Sequence, residues 1–579
     1  MAETIISPGV FQRENDISFT QPAPTAAGAV ILGPTVKGPV EVPTVVTSYG
    51  NFTNTFGVTF ESGSNSDEFL TSLAVKNYFQ QGGDTCLVTR VVNGTFSAAA
   101  STFVSASQSQ FASTSSFSLE TLGKGAIFNN STGVGDTGSE NSDGSLVNGS
   151  ADNLRWQISN ISTTKGTFAL IVRKGDDSTK QQTILETFNN LSLDPNSPNY
   201  IEKIVGNQAP ALSGDSTQII TSGDYVNRSN YIRVASVNLP TLNYLGTDGL
   251  TVMSGSDAKS YTHRLPLASS GSFFGATGTV ANGAATFKNI STATQGLAAT
   301  DYDNVITLLG NKDDYQFNII SAPGLVYSLH STQVDKIISL AESRGDCIAV
   351  VDLQSYGATV SNVVAQADVL NSSYASTYWP WLQMQSATGK NVWVPASTVI
   401  PGVYAFTDGA AAPWFAPAGL VRGGLTGVIQ AEKKLSKTHR DTLYNAKINP
   451  IATFPGTGIA VFGQKTLQTK ASALDRVNVR RLLIELKKFI GDQANTLVFE
   501  QNTISTRNRF LNTVDPYLES VTQRNGLYAY RIVMDDSNNT ADVVDRNQLV
   551  GQIFIQPAKT AEFVVLDFVV EPTGASFGA

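Results

Sequence analysis

At 579 residues the chain has room for about three to four domains. Charged residues make up 15% and hydrophobic residues 41%, which excludes both a disordered chain and a highly charged one. The net charge of −8 is mild, and two cysteines, Cys86 and Cys347, are too few for a disulfide framework. Each sits in an apolar run, TCLVTRVV or CIAVV, so buried free thiols are expected. The opening MAETIISPG has neither a basic nor an apolar leader segment, so no signal peptide is expected. No apolar run reaches the length of a membrane span, and a soluble chain folding in a cytoplasm is the expectation.

Residues 1–20 read as an extended arm. Ile5, Ile6, Val10 and Phe11 are apolar, and Pro8-Gly9 breaks any helix. Residues 26–92 read as α/β: AAGAVILG is a short buried strand, DEFLTSLAVKNYFQQGG an amphipathic helix stopped by Gly82-Gly83, and TCLVTRVV the strand after it. Residues 97–152 are rich in Ser, Gly and Asn with few apolar anchors, which predicts a surface excursion or a small peripheral β element. Strand signals return over 153–310, as in LRWQIS and TFALIVRKG. From 315 the α/β style resumes, with YQFNIISAPG, the amphipathic STQVDKIISLAESRGD and CIAVVDL. The simplest organisation is one α/β domain built from 21–94 plus 311–430, with a β-rich stretch, 95–310, inserted between them. Four of the five tryptophans fall between 379 and 414, where packed aromatic strands outweigh a ligand box.

The final stretch, 431–579, reads as a compact α+β unit. In LDRVNVRRLLIELKKFIG the apolar Val479, Leu482, Leu483, Leu486, Phe489 and Ile490 share one helical face. Arg480, Arg481, Glu485, Lys487 and Lys488 fall on the other. Asp475 is the expected N-cap and Gly491 the expected stop. A second helical pattern places Ile504, Leu511, Val514, Leu518 and Val521 together, and three strand-like runs follow: YAYRIVMDD, VGQIFIQP and AEFVVLDFVVEP. Residues 432–490 carry twelve Lys or Arg against four Asp or Glu, a basic segment in an acidic chain. A solvated face, a nucleic-acid site and a docking surface for an acidic partner are the three readings. Tyr444, Phe454 and Phe462 are too scattered to favour nucleic acid.

Motifs for catalysis do not survive inspection. Residues 133–138 match GxGxxG but lack a flanking strand and helix. Residues 574–578 match GxSxG, yet only Ala579 follows, leaving no place for a downstream acid and histidine. His263, His330 and His439 have no metal-ligand spacing. Asp313-Asp314 and Asp535-Asp536 lie in turn-like contexts, where solvated turn residues are the default. No catalytic, cofactor-binding or metal-binding residue is expected, and the protein is not expected to be an enzyme.

The run INP…DRVNVRRLL…GLYAYRIVMDDSNNT…VVDRNQLVGQIFIQPAK…FVVLDFV resembles the C-terminal domain of contractile tail sheath proteins of the T4-like bacteriophage type, and SPGVFQRE resembles the sheath opening. The resemblance covers roughly the last 150 and first 90 residues and is faint between 95 and 310. It implies an α+β multidomain protein: a central α/β sheath domain with an outer β-rich insertion, and a C-terminal α+β domain facing a tail tube. Terminal strands would be exchanged between neighbours, involving Ile5, Ile6, Val10 and Phe11 at one end and Phe563, Val565, Leu566, Phe568 and Val570 at the other. Both alternating sets of AEFVVLDFVVEP are largely apolar, which calls for cover on both faces. The implied partners are further copies in hexameric rings of a helical sheath, a tail tube protein, and baseplate and terminator proteins, with no nucleic acid and no membrane insertion. Lys433, Lys434, Arg476, Arg480 and Lys487 are the tube-facing candidates. The implied location is the virion tail, with host cytoplasm during assembly. A sheath of a phage-derived injection particle, or a tail-associated protein that binds or degrades polysaccharide, are the alternatives.

Overall fold

A computed structural model describes residues 27–562 apart from 63–64, 108–110, 112–113, 129–139, 148, 279–294 and 457. The expected arm residues Ile5, Ile6, Val10, Phe11, Phe563, Val565, Leu566, Phe568 and Val570 lie outside the described residues, as do both glycine motifs.

The centre is an eight-stranded sheet in the order Thr44–Val46, Cys86–Arg90, Ala27–Gly33, Phe317–Val326, Ile348–Asp352, Ala375–Trp379, Asn449–Phe454, Gly458–Val461. The six inner strands run parallel, and an antiparallel strand closes each edge. Parallel strands covered on both faces need apolar residues at every position, which is why they read as unbroken runs. In Ala27–Gly33 the residues alternate between two cores. Ala27, Val30 and Leu32 join Val334, Ile337 and Ala341 of the helix Tyr327–Arg344. Ala29 and Ile31 join Leu70 and Leu73 of the helix Leu70–Gln80, and Ile400 and Val403 of the helix Ile400–Ala410. Helices thus cover both faces, the three-layer solution that buries a parallel sheet.

Residues 98–276 have a core of their own. A four-stranded antiparallel sheet (Ile184–Ser192, Thr167–Lys174, Leu154–Ser162, Ser269–Ser272) and a three-stranded one (Ile232–Val237, Ser115–Lys124, Ala98–Val104) enclose it. Of the two readings of 97–152, the β element is the one found, and it contributes more core than its composition indicates. Ala99, Phe103, Phe117, Leu119 and Phe128 are buried, and Ser115–Lys124 is the middle strand of its sheet. The apolar residues are few because alternate positions face solvent and some inward ones are small, such as Thr121 and Ser101.

Two sequence boundaries also move. Tyr302, Val305, Ile306 and Leu309 pack into the core beneath the central sheet, although they precede residue 310. At the other end the sheet runs past 430 to Val461. The shift to basic composition at 432 has no bearing on strand pairing.

The last unit holds the helices Val477–Asn495 and Ile504–Gln523 and the antiparallel hairpin Leu527–Val533 with Gln552–Pro557. Trp414, Leu482, Leu486, Phe510, Val514, Leu518 and Val521 form its core. The first helix starts after Arg476, without a side-chain cap, and Asp475 ends a short 3-10 turn instead. It also runs through Gly491, which is exposed and costs about 1 kcal/mol relative to alanine without ending the helix.

Candidate functional site: the junction between sheet and C-terminal helices

The helix Val477–Asn495 ties two cores together. Val477 and Ile484 pack with the central sheet, while Leu482 and Leu486 pack with the C-terminal helices. Its first turns are therefore buried on every side, and the charged residues there have to be satisfied from within.

Arg480 is 4% exposed. Its guanidinium lies 4.0 Å from the centre of the Tyr374 ring, and it donates from Nε to the Ser373 carbonyl at 3.2 Å and from Nη2 to the Ser373 hydroxyl. Burial pulls its pKa below the ordinary arginine value, and Tyr374 partly offsets this. Arg481, also 4% exposed, pairs with Asp408 on the helix Ile400–Ala410 and lies 4.7 Å over the Tyr404 ring. Burial opposes the Arg481 charge, but Asp408, Tyr404 and Tyr378 outweigh it and hold the guanidinium above its ordinary value. Tyr404 shares a 2.6 Å hydroxyl contact with Tyr378 of the sheet. Adjacent arginines thus reach two different elements of the sheet unit.

Just before the helix, Arg476 forms a bidentate pair with Glu562, Nε to Oε1 at 2.7 Å and Nη2 to Oε2 at 3.0 Å, and contacts Asp475 at 3.0 Å. Asn478 donates to the Trp414 carbonyl at 3.2 Å.

The five basic candidates named from sequence therefore separate. Lys434 and Lys487 are exposed, and Lys487 donates to the Tyr374 hydroxyl at 3.2 Å. Lys433 and Arg476 are half-buried, and the Lys433 ammonium donates to the Ala358 carbonyl and lies 5.6 Å over Trp379. Arg480 and Arg481 leave the solvated face where helical spacing put them. A helical wheel registers one partner surface, whereas this helix has two. Their partners, 107 residues away at Ser373 and 73 away at Asp408, have no local sequence signal. Glu562, Tyr374, Tyr404 and Asp408 were missed for the same reason.

Among the described residues no group of three or more His, Cys, Asp or Glu could hold a metal ion, and no helix is long and apolar enough to cross a membrane. Asp536 pairs with Arg507 at 2.6 Å and Asp535 accepts from the Ser537 amide at 2.9 Å, as turn carboxylates do.

The junction is also where two family models meet. The phage tail sheath central domain matches residues 282–467, and the phage tail sheath C-terminal domain matches 469–571. Residues 282–571 thus match the two phage tail sheath domain models in order. It is 38% identical over 244 residues to the tail sheath protein of Vibrio phage KVP40, covering 41% of this chain and 36% of that one. It is 33% identical over 265 residues to the tail sheath protein of Enterobacteria phage T4, covering 43% and 40%. The chain thus spans less than half the length of these curated relatives. A crystal structure of a sheath tail protein from Listeria innocua shares the fold over 93% of both chains, with a TM-score of 0.52 at 11% identity.

Proposed function

We propose that this chain is the structural subunit of a contractile tail sheath. Copies stack as hexameric rings around a tail tube, and contraction drives the tube through a bacterial envelope. The observation that carries this reading is the ordered match of both sheath domain models, meeting at a junction whose charges are spent on holding two units together. No nucleotide is consumed. The work comes from the free-energy difference between two packings of one subunit, which requires units that move as bodies. A helix rooted in both cores lets the central sheet and the C-terminal helices turn together.

In this reading the 98–276 unit lies on the outside of the sheath. The C-terminal unit faces the tube; the exposed Lys487 is its better-placed cationic contact, and the exposed Lys434 is the one offered by the sheet unit. Baseplate and terminator proteins cap the assembly, which belongs to the virion and forms in the host cytoplasm. Residues 4–11 of one copy add a strand to the C-terminal unit of another, by β-augmentation. The hairpin supports this, since among the described residues it has two strands, and two strands alone are marginal and leave edges open to pairing.

Negative-stain imaging of purified protein tests the reading. Tubes or rings are expected from the full chain, and a folded, non-polymerising protein from a variant lacking residues 1–14. Normal tubes from the truncated protein would remove strand exchange by the N-terminal arm.

A further inference from the structure

Glu562 is the meeting point of three separate elements. Its Oε1 accepts from Arg476 Nε at 2.7 Å and from Gln464 Nε2 at 3.0 Å, and its Oε2 accepts from Arg476 Nη2 at 3.0 Å and from Tyr444 Oη at 2.8 Å. Tyr444 lies on the helix Lys437–Asn445, Gln464 follows the sheet strand Gly458–Val461, and Arg476 precedes the helix Val477–Asn495. Four donors fill the capacity of one carboxylate, and the arginine fork is the strongest geometry available to it. The side chain is 16% exposed.

The path that leads to Glu562 is also fastened. After the hairpin strand Gln552–Pro557, the Ala558 amide donates to the Gly526 carbonyl at 3.0 Å, and Thr560 Oγ1 accepts from Asn478 at 3.2 Å. The chain therefore leaves the hairpin and is stitched twice to the root of the long helix within a few residues. A surface ion pair between two elements would contribute little. This one closes the hairpin back onto both units.

We propose that Glu562 is a force anchor: tension entering from residues 563–579 passes through it to Arg476 and the helix root, bypassing the hairpin. This rests on the reading that the terminal segments link subunits. The need for such an anchor follows from the geometry. A two-stranded hairpin pulled from one end opens one pair at a time, whereas a carboxylate held by three elements gives only when all of them do.

Single-molecule pulling on the full chain tests this, with handles at Thr388→Cys on the sheet unit and Ala579→Cys at the end. The native thiols are buried and do not compete. Wild type should show no extension step before the main unfolding event. Glu562→Gln and Arg476→Gln should each add an early low-force step of about 120 Å, the length of some 36 residues released back to Gly526. The double exchange Glu562→Arg with Arg476→Glu should remove that step, which a general loss of packing would not. An early step in wild type, or none in Glu562→Gln, would overturn the anchor. Normal tubes from a chain ending at Glu562 would overturn the inference through the reading it rests on.

Discussion

The guanidinium of Arg480 lies over the ring of Tyr374, 4.0 Å from its centre, with Lys487 about two turns further on reaching the hydroxyl of the same tyrosine. One aromatic side chain therefore receives a buried cation on its face and an exposed one at its tip. The two cations differ sharply in what they do for stability.

Arg480→Ala removes a desolvated cation–π contact and charged hydrogen bonds, and should cost about 2–4 kcal/mol. Lys487→Ala should change stability by less than about 0.5 kcal/mol. Urea midpoints of the two variants check this. Equal midpoints would mean that the buried arginine contributes nothing.

Asp352 ends an inner strand, fully buried, and accepts from both the amide and the hydroxyl of Ser397. Burial pushes its pKa up to about 7, with the Ser397 bonds opposing. The folded state therefore holds this proton more tightly than the unfolded one. Stability contributed by the neutral acid is present below about pH 4 and is lost as pH rises from about 4 to about 7. The size is on the order of 4 kcal/mol. Asp352→Asn should flatten that part of the stability–pH curve relative to wild type, as read from denaturant midpoints across it.

Excising 105–145 removes Ser115–Lys124 from the middle of its sheet, so the shortened protein should fail to fold its 98–276 unit. Phe117, fully buried against Phe103 at 4.4 Å, should cost about 3–5 kcal/mol as Phe117→Ala. A trimmed protein with wild-type near-ultraviolet dichroism would contradict this.

Cys86 and Cys347 are fully buried, and burial pushes both thiols up, Cys347 to about 12. A thiol-specific chromogenic reagent should label native protein only at its unfolding rate, and both sites at once in denaturant. Rapid labelling of either thiol in the native protein would show that its strand opens locally.

What could be read from sequence follows burial on two faces. AVIL at 29–32 and IAVV at 348–351 are legible because a covered parallel strand admits almost nothing else. Ser115–Lys124 hides because its alternation is written partly in Ser, Thr and Gly. Arg480 and Arg481 mislead because charge reads as solvent exposure unless the partner is known. Asp352 gives no warning, since one acid at the end of an apolar strand reads as the start of a turn.

The pairing of Ala27 with Phe317 has a consequence for synthesis. The first inner strand emerges from the ribosome with about 290 residues still to come before its second neighbour exists, long after Cys86–Arg90 has joined its other edge. At about 5–20 residues per second that is roughly 15–60 s. Throughout that interval one edge of Ala27–Gly33 is unpaired and its apolar faces lack half their cover. The intervening 98–276 unit, whose strands pair almost wholly among themselves, can close on its own meanwhile. The nascent chain must then keep its oldest strand soluble until its youngest partner arrives.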